Sequence, residues 1–295
     1  MTMTTQSLIS ESKEPPLVTI GIPLYNEERF LAESLSSIFA QDYKNLEIII
    51  SDNASTDDTL NICKKLSKDR PEVKVNSFQE NKGAPENFAY VLREASGKYF
   101  MWASGHDLWE KNLISSCVNL LEESDSFIIA FGSSEWVDEQ GDRMESFSGW
   151  TDTRGMESIA RFFTVFWGNM HPVLGLIRRS TLNEVMPIGS FVGADLALLE
   201  ALSLKGHFVH AAKTSWRRRE FRHEHTHAQK INRYKSNEYR ITKGIISNLF
   251  PTLRLPTFLI TLLARSNISI LSKTLAIIAL IFSFPIRYIT GKGKG

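Results

Sequence analysis

The sequence predicts an α/β fold, a mostly parallel central sheet flanked by helices, followed by a helical, amphipathic tail that associates with a membrane. Three observations carry this. Apolar runs rich in β-branched residues alternate with stretches of helical periodicity between residues 18 and 104. Each apolar run ends in a polar turn, the place where such sheets bind ligands. Residues 244–295 are rich in Leu, Ile and Phe and contain no Asp or Glu.

VTIGIPLY (18–25) reads as a buried strand whose Pro ends the ladder pairing. NEERFLAESLSSIFAQ follows as a helix, with Phe30, Leu31, Leu35, Ile38 and Phe39 at helical spacing, acidic residues in the first turn and Asn26 as its expected cap. LEIIISDNAS (46–55) is a second strand and TDDTLNICKKLSKD a second helix, which Asp57 and Asp58 are placed to cap. VKVNSFQ (73–79) alternates as a third strand, NKGAPENFAYVLREA opens a helix after a Gly-Pro turn, and KYFMWAS (98–104) is a fourth strand. The ligand-facing turns are then PLYNE, SDNAS and SGHD. Further on, KNLISSCVNLLEES reads as a helix, FIIAFGSSEWVD as a strand, SIARFFTVFW as an amphipathic helix, HPVLGLIRR as a strand and GADLALLEALSLKG as a helix ended by Gly206.

With 295 residues, 42% of them hydrophobic, the chain can bury a sizeable core. Its 2 cysteines, Cys63 and Cys117, lie in separate segments without a CxxC, which argues against structural zinc or a disulfide framework and for a reducing compartment. The polar lead lacks the apolar stretch of a secretory signal, so the expected location is the cytoplasm. The net charge of +1 conceals three unlike regions. Residues 1–212 carry a net −12, residues 213–243 a net +7 and residues 244–295 a net +6. These divide the chain into a disordered lead (1–16), a catalytic domain (17–212, with halves 17–108 and 109–212), a basic phosphate-facing segment (213–243) and a membrane-associating tail (244–295).

VTIGIPLYNEERFLAESLSSIFAQDYKNLEIIISDNASTDDT, followed in order by NKGAPENF, ASGKYFMWASGHDLW and GADLALLEAL, resembles the family 2 inverting glycosyltransferases, which have the GT-A fold. The resemblance covers roughly residues 17–210 and implies a nucleotide-diphosphate sugar as donor. It assigns Asp52, at a strand's carboxyl end, to the nucleotide base, with Pro23, Tyr25, Glu27 and Ser104 lining the same pocket. A carboxylate suits that role because it accepts hydrogen bonds from a base imide or ribose hydroxyls. The family's acidic metal motif falls on SGHD, where Ser104 and His106 replace acidic residues and Asp107 is retained. His106 and Asp107 are thus the expected ligands of a Mn²⁺ or Mg²⁺ ion, both ligand types suiting such an ion. Asp195 matches the family's general base, which removes the proton of the acceptor hydroxyl; the acidic residue that often precedes it is Ala194 here.

WRRREFRHEHTHAQKINRYK is a separate signal. Arg217, Arg218, Arg219 and Arg222 can grip phosphate bidentately, either the donor diphosphate or the phosphate of a lipid-linked acceptor. No nucleic-acid module surrounds them, so nucleic acid is not an expected partner. In the tail, LPTFLITLLA (255–264) and TLAIIALIFSFPI (274–286) are each too short to span a bilayer, and joining them would bury Arg265 and Lys273. In-plane or re-entrant association is favoured over a tilted span or an oligomer interface.

Together these features predict an inverting transferase acting on a lipid-linked or other saccharide acceptor in cell-surface polysaccharide biosynthesis. It would use a UDP-, GDP- or dTDP-sugar and sit, peripheral or monotopic, at the cytoplasmic face of the membrane. The weakened SGHD motif supports two alternatives: a catalytically weak GT-A module that binds nucleotide-sugar as an assembly factor, and a metal-independent transferase relying on the arginines.

Overall fold

The computed structural model describes residues 14–144, 152–169, 171–189, 191–221 and 253–290. Its centre is β1 (Val18–Leu24), buried along nearly its whole length, paired in parallel with β2 (Leu46–Asp52) and β4 (Tyr99–Trp102). β3 (Val73–Ser77) lies parallel outside β2. The helices α1 (Glu28–Phe39), α2 (Thr59–Ser67) and α3 (Ala84–Arg93) are the crossovers that parallel pairing requires. Beyond β4 come β5 (Leu108–Trp109), α4 (Leu113–Glu123), β6 (Phe127–Val137), α5 (Ser158–Trp167), a 3₁₀ turn at His171–Leu174, β7 (Leu176–Arg178) and α6 (Arg179–Val185). They are followed by α7 (Ala194–Ser203), β8 (His207–Arg219), α8 (Arg254–Arg265) and α9 (Ile270–Thr290).

The sheet runs β3-β2-β1-β4-β7-β6-β8-β5. It is parallel from β3 to β4 and between β6 and β8, and antiparallel where β7 joins β4 and β6 and where β5 joins β8. One face is covered by Leu31, Leu35 and Ile38 of α1, Cys63 of α2 and Cys117 of α4. The other carries Val91 and Leu92 of α3, Leu182 of α6 and Leu198 of α7. A third cluster joins Phe162 and Phe166 of α5 and Leu196 of α7 to Leu259, Leu263, Ala276 and Leu280 of the tail helices.

Four elements differ from the sequence expectation. Asn26 does not cap α1: it adopts a left-handed φ of 53° and its Oδ1 accepts the Thr56 N–H. The amino ends of α1 and α2 instead satisfy one another, Glu28 N–H donating to Asp57 Oδ2 and Asp58 N–H to Glu28 Oε2. Asp57 also takes the Thr59 N–H, so it caps α2 as expected, whereas the Asp58 side chain bonds Asn61. HPVLGLIRR is a strand only over β7, because His171–Leu174 close into a 3₁₀ turn; at Gly175, between the two, a Cβ would meet Ala130 O at 2.8 Å.

The boundary expected between residues 212 and 213 falls inside β8. A register jump between Gly132 and Ser133 of β6 skips residues 212–214 and lets the strand resume with Ser215–Arg219. The bulge breaks the alternation that would have marked one continuous strand. Finally, the second apolar run of the tail is part of a 21-residue helix, α9, which continues through Lys273 and Pro285.

Candidate functional site

The carboxyl ends of β1, β2 and β4 meet at one edge of the sheet. Asp52 closes this edge and is 1% exposed. Its carboxylate accepts both the Ser55 N–H, at 3.3 Å, and the Ser77 hydroxyl, at 3.0 Å. Pro23 is partly exposed and Tyr25 exposed beside it. Two residues overlooked in the sequence hold the edge together. Asn53 donates its N–H to Leu24 O, and Asn87 of α3 donates Nδ2 to both Leu24 O and Ser51 O, tying β1 to β2. Their position just after a strand and one turn into the NKGAPENF helix was the available signal. The Ser104 hydroxyl, at the end of β4, is buried with no hydrogen-bond partner. An unpaired buried donor at a ligand-facing strand end is suited to a hydrogen bond from the pocket.

SGHD turns back toward β8. His106 Nδ1 lies 2.9 Å from Glu27 Oε2, and its ring meets Phe221 edge-on at 5.0 Å. Asp107 is 1% exposed, and its Oδ1 accepts the backbone N–H of Arg219 at 3.0 Å. Among the described residues no three His, Cys, Asp or Glu side chains are grouped to hold a metal ion. His106 and Asp107 are engaged by the protein itself, and the Arg219 guanidinium, bonded to His106 O, lies alongside. This donor set does not fit a protein-built divalent-cation site.

The arginines do not act as one cluster. Arg219 is buried: it donates to Glu33 Oε2 at 2.6 Å, to Glu139 O and to His106 O, and packs over Phe30. It pins SGHD to α1 and to the loop after β6. Arg217 is exposed and pairs with Glu110 at 2.9 Å. Arg218 points to the opposite face of the strand, its guanidinium 4.4 Å over the Trp136 ring. Arg222 lies outside the described residues, as do His223, His225 and His227.

Arg218 shares its face with Asp195. Asp195 sits in the first turn of α7, after Gly193, whose φ of 90° the sharp entry requires. The residue is exposed, yet the surrounding protein desolvates its carboxyl and pushes the pKa up, while the Arg218 charge opposes that shift. His171 stands nearby, 5.8 Å from Trp136 and 6.0 Å from Trp216 by ring centres. Its Nδ1 bonds the Ser134 hydroxyl and its Nε2 is buried without a partner. Burial and the Arg218 charge lower its pKa to about 4, so it is neutral at pH 7. His171, Trp136 and Trp216 were not singled out in the sequence, because they lie on three separate elements.

The family model described as Glycosyl transferase family 2 matches residues 19–186, more than half of the chain. The chain belongs to this family. An uncharacterized glycosyltransferase of Rickettsia felis is 34% identical over 130 residues, covering 43% of this chain and 21% of that protein. The chain therefore spans about a fifth of that relative's length. Staphylococcus aureus TarS 1–349, solved in complex with UDP-GlcNAc, superposes with a TM-score of 0.66 at 14% identity, covering 90% of this chain and 71% of TarS 1–349. The mannosyltransferase PcManGT of Pyrobaculum calidifontis, solved with GDP-Man and Mn²⁺, gives 0.55 at 18% identity, covering 94% and 84%. This family-2 chain has the GT-A fold those structures share.

Among the described residues α9 is the one helix long and apolar enough to cross a membrane. Ala276, Leu280 and Arg287 face the protein, whereas Leu271, Leu275, Ile278, Phe282 and Ile286 are exposed. The helix therefore lies against the family-2 domain and turns an apolar stripe outward.

Proposed function

We propose that the chain is an inverting glycosyltransferase that moves a sugar from a nucleotide-diphosphate donor to a hydroxyl of a lipid-linked saccharide. It would act in cell-surface polysaccharide biosynthesis at the cytoplasmic face of a membrane. The observation that supports this reading is Asp195: an exposed carboxylate in the first turn of α7, faced by the Arg218 charge, with a raised pKa. A base whose pKa is raised toward the working pH is better matched to removing a hydroxyl proton.

In the proposed step the acceptor hydroxyl oxygen bonds to the anomeric carbon from the side opposite the donor diphosphate. Asp195 takes the hydroxyl proton. The bond from the anomeric carbon to the diphosphate oxygen breaks, and the nucleoside diphosphate leaves with its electron pair. Asp52, Pro23, Tyr25, Glu27 and Ser104 hold the nucleoside side. Arg218 supplies positive charge beside the base, suited to a substrate phosphate. Relatives of this fold were solved with UDP-GlcNAc and with GDP-Man and Mn²⁺, which supports the same donor class here. The step is written through this chain's side chains alone, because His106 and Asp107 are already engaged. The exposed stripe of α9 and the acid-free tail support contact with anionic lipid, where a lipid-linked acceptor sits.

The test is release of nucleoside diphosphate from UDP-, GDP- and dTDP-sugars, with and without Mn²⁺ or Mg²⁺, for the full chain and for Asp195→Asn. Turnover that the substitution abolishes is expected, and full activity in the variant removes Asp195 as the base. A second reading, a nucleotide-sugar-binding module without turnover, is favoured by the engagement of both His106 and Asp107. Binding of a nucleotide-sugar with no turnover under any metal would select it.

A further inference from the structure

The tail contributes more than an apolar surface, because α8 packs directly on the turn that presents Asp195. Leu255 lies against Gly193 so closely that a Cβ at Gly193 would meet its Cδ2 at 2.6 Å. The Phe191 and Phe258 rings are 5.9 Å apart, a second contact of α8 with the same turn. One residue past Asp195, Leu196 is buried in the cluster that holds Leu259 and Leu263 of α8 and Leu280 of α9. Farther along α7, the fully buried Glu200 faces the charge of Arg287 from α9. Arg287 itself donates to Phe166 O and Gly168 O at the end of α5. The start of α7 is thus held from residue 191 to residue 196 by a helix that follows it by more than fifty positions in the sequence.

We infer that α8, through Leu255 and Phe258, is a positioning element for the catalytic base: it fixes the Phe191–Leu196 turn so that the Asp195 carboxylate meets the acceptor hydroxyl in reacting geometry. The inference rests on the proposed role of Asp195. The left-handed glycine needs this support. Gly193 is the residue with the widest backbone freedom, and no side chain of its own restrains the turn. Leu255 occupies the space that a Gly193 side chain would fill and so supplies the missing restraint from outside. The same hairpin carries the outward apolar stripe of α9, so the element proposed to face lipid also holds the base. Deleting residues 245–295 would consequently uncover Leu196 and Phe166 and loosen α7, whatever its effect on membrane binding.

The experiment uses the full chain and measures hydrolysis of UDP-GlcNAc and GDP-mannose, water serving as the acceptor. Nucleotide affinity is measured in parallel by titration with UDP and GDP. Leu255→Ala is expected to lower kcat by about ten- to a hundredfold, the range produced by a misplacement of about 1 Å. UDP or GDP affinity should change by less than about twofold, because the nucleoside side lies on β1, β2 and β4 and distant sites act independently. Leu255→Met, which refills the space over Gly193, should restore most of the rate. In an Asp195→Asn background Leu255→Ala should cost nothing further, since it acts through the carboxylate that has been removed.

A loss that persists undiminished in the Asp195→Asn background would overturn the inference while leaving the base in place. So would an unchanged kcat in Leu255→Ala when Asp195→Asn alone abolishes turnover. Full activity of Asp195→Asn, or no turnover by the unaltered chain with any UDP-, GDP- or dTDP-sugar, would overturn the functional reading and the inference with it. Phe258→Leu, a milder change at the second contact with the turn, repeats the comparison if Leu255→Ala does not fold.

Discussion

The two halves of the site are built in opposite ways. At the ends of β1, β2 and β4, polar side chains are mostly spent on their neighbours, the Ser104 hydroxyl excepted: Asp52 on Ser55 and Ser77, Asn87 on Leu24 and Ser51, and His106 on Glu27. Around α7 and β8 the candidate groups are left without partners: Asp195 is exposed without a hydrogen bond or ion pair among the described residues, and His171 keeps an unpartnered nitrogen. The first half is a rigid frame assembled by adjacent parallel strands. The second is assembled from a helix start, a bulged strand and a distant hairpin. A buried group left without a partner gains most from a ligand that satisfies it, so the His171 Nε2 is the kind of group a ligand would engage.

The sharpest way to break this comparison is Asp195→Asn. Turnover of a nucleotide-sugar should fall by about 10²- to 10⁴-fold, the contribution of a positioned base, with UDP or GDP affinity unchanged in a titration. Next in size is Arg219→Ala. It removes a buried guanidinium that bonds Glu33, His106 O and Glu139 O, and chemical denaturation should show a loss of about 2–3 kcal/mol, charged hydrogen bonds being the stronger kind. If that loss is absent and phosphate binding falls instead, Arg219 belongs to the second half.

Arg218→Ala should slow turnover with little loss of stability. Because Arg218 holds the raised Asp195 pKa down, its removal moves the acid limb of the rate–pH profile to higher pH, which a profile of kcat against pH would read. A smaller effect is expected in the frame at Glu47. Burial opposes its ionisation, but hydrogen bonds from Lys74, Ser96 and Thr19 prevail and bring its pKa to about 2. Its folded pKa is below the ordinary value of 4.5, so the stability it contributes is complete above that pH and is lost as pH falls toward 2. A thermal melt series over that window measures it, and Glu47→Gln should flatten it. Smallest of all, Arg217→Ala breaks an exposed pair with Glu110 and should change stability by less than about 1 kcal/mol, seen as an almost unmoved melting temperature.

Much of the frame was legible in the sequence because its signals are local. VTIGIPL, LEIIISD and YFMW are apolar runs that end in polar turns, and parallel order with crossover helices follows from their alternation with helical periods. The turns mark where Pro23, Tyr25, Glu27, Asp52 and Ser104 stand, and the family resemblance supplies their expected role. The pairing of α1 with α2 through Asp57 and Glu28 did not, since two turns about thirty residues apart satisfy each other only when the strands stand side by side. The arginines show the same limit. WRRR reads as a charged segment, but a bulge in β8 makes it a strand that sends Arg218 to one face and Arg217 and Arg219 to the other, so that three like residues have three unlike surroundings.

By itself the sequence determined the parallel half of the sheet, the family resemblance, Asp195 as a candidate base and the acid-free tail, because each is written in residues close together along the chain. Only the tertiary structure decided that Arg219 is a buried pin, that Arg218 alone of the described arginines in WRRR faces Asp195, and that Leu255 of the tail lies on Gly193. Those relations depend on which elements pack together, and packing is set by the summed burial of many distant side chains rather than by any short pattern.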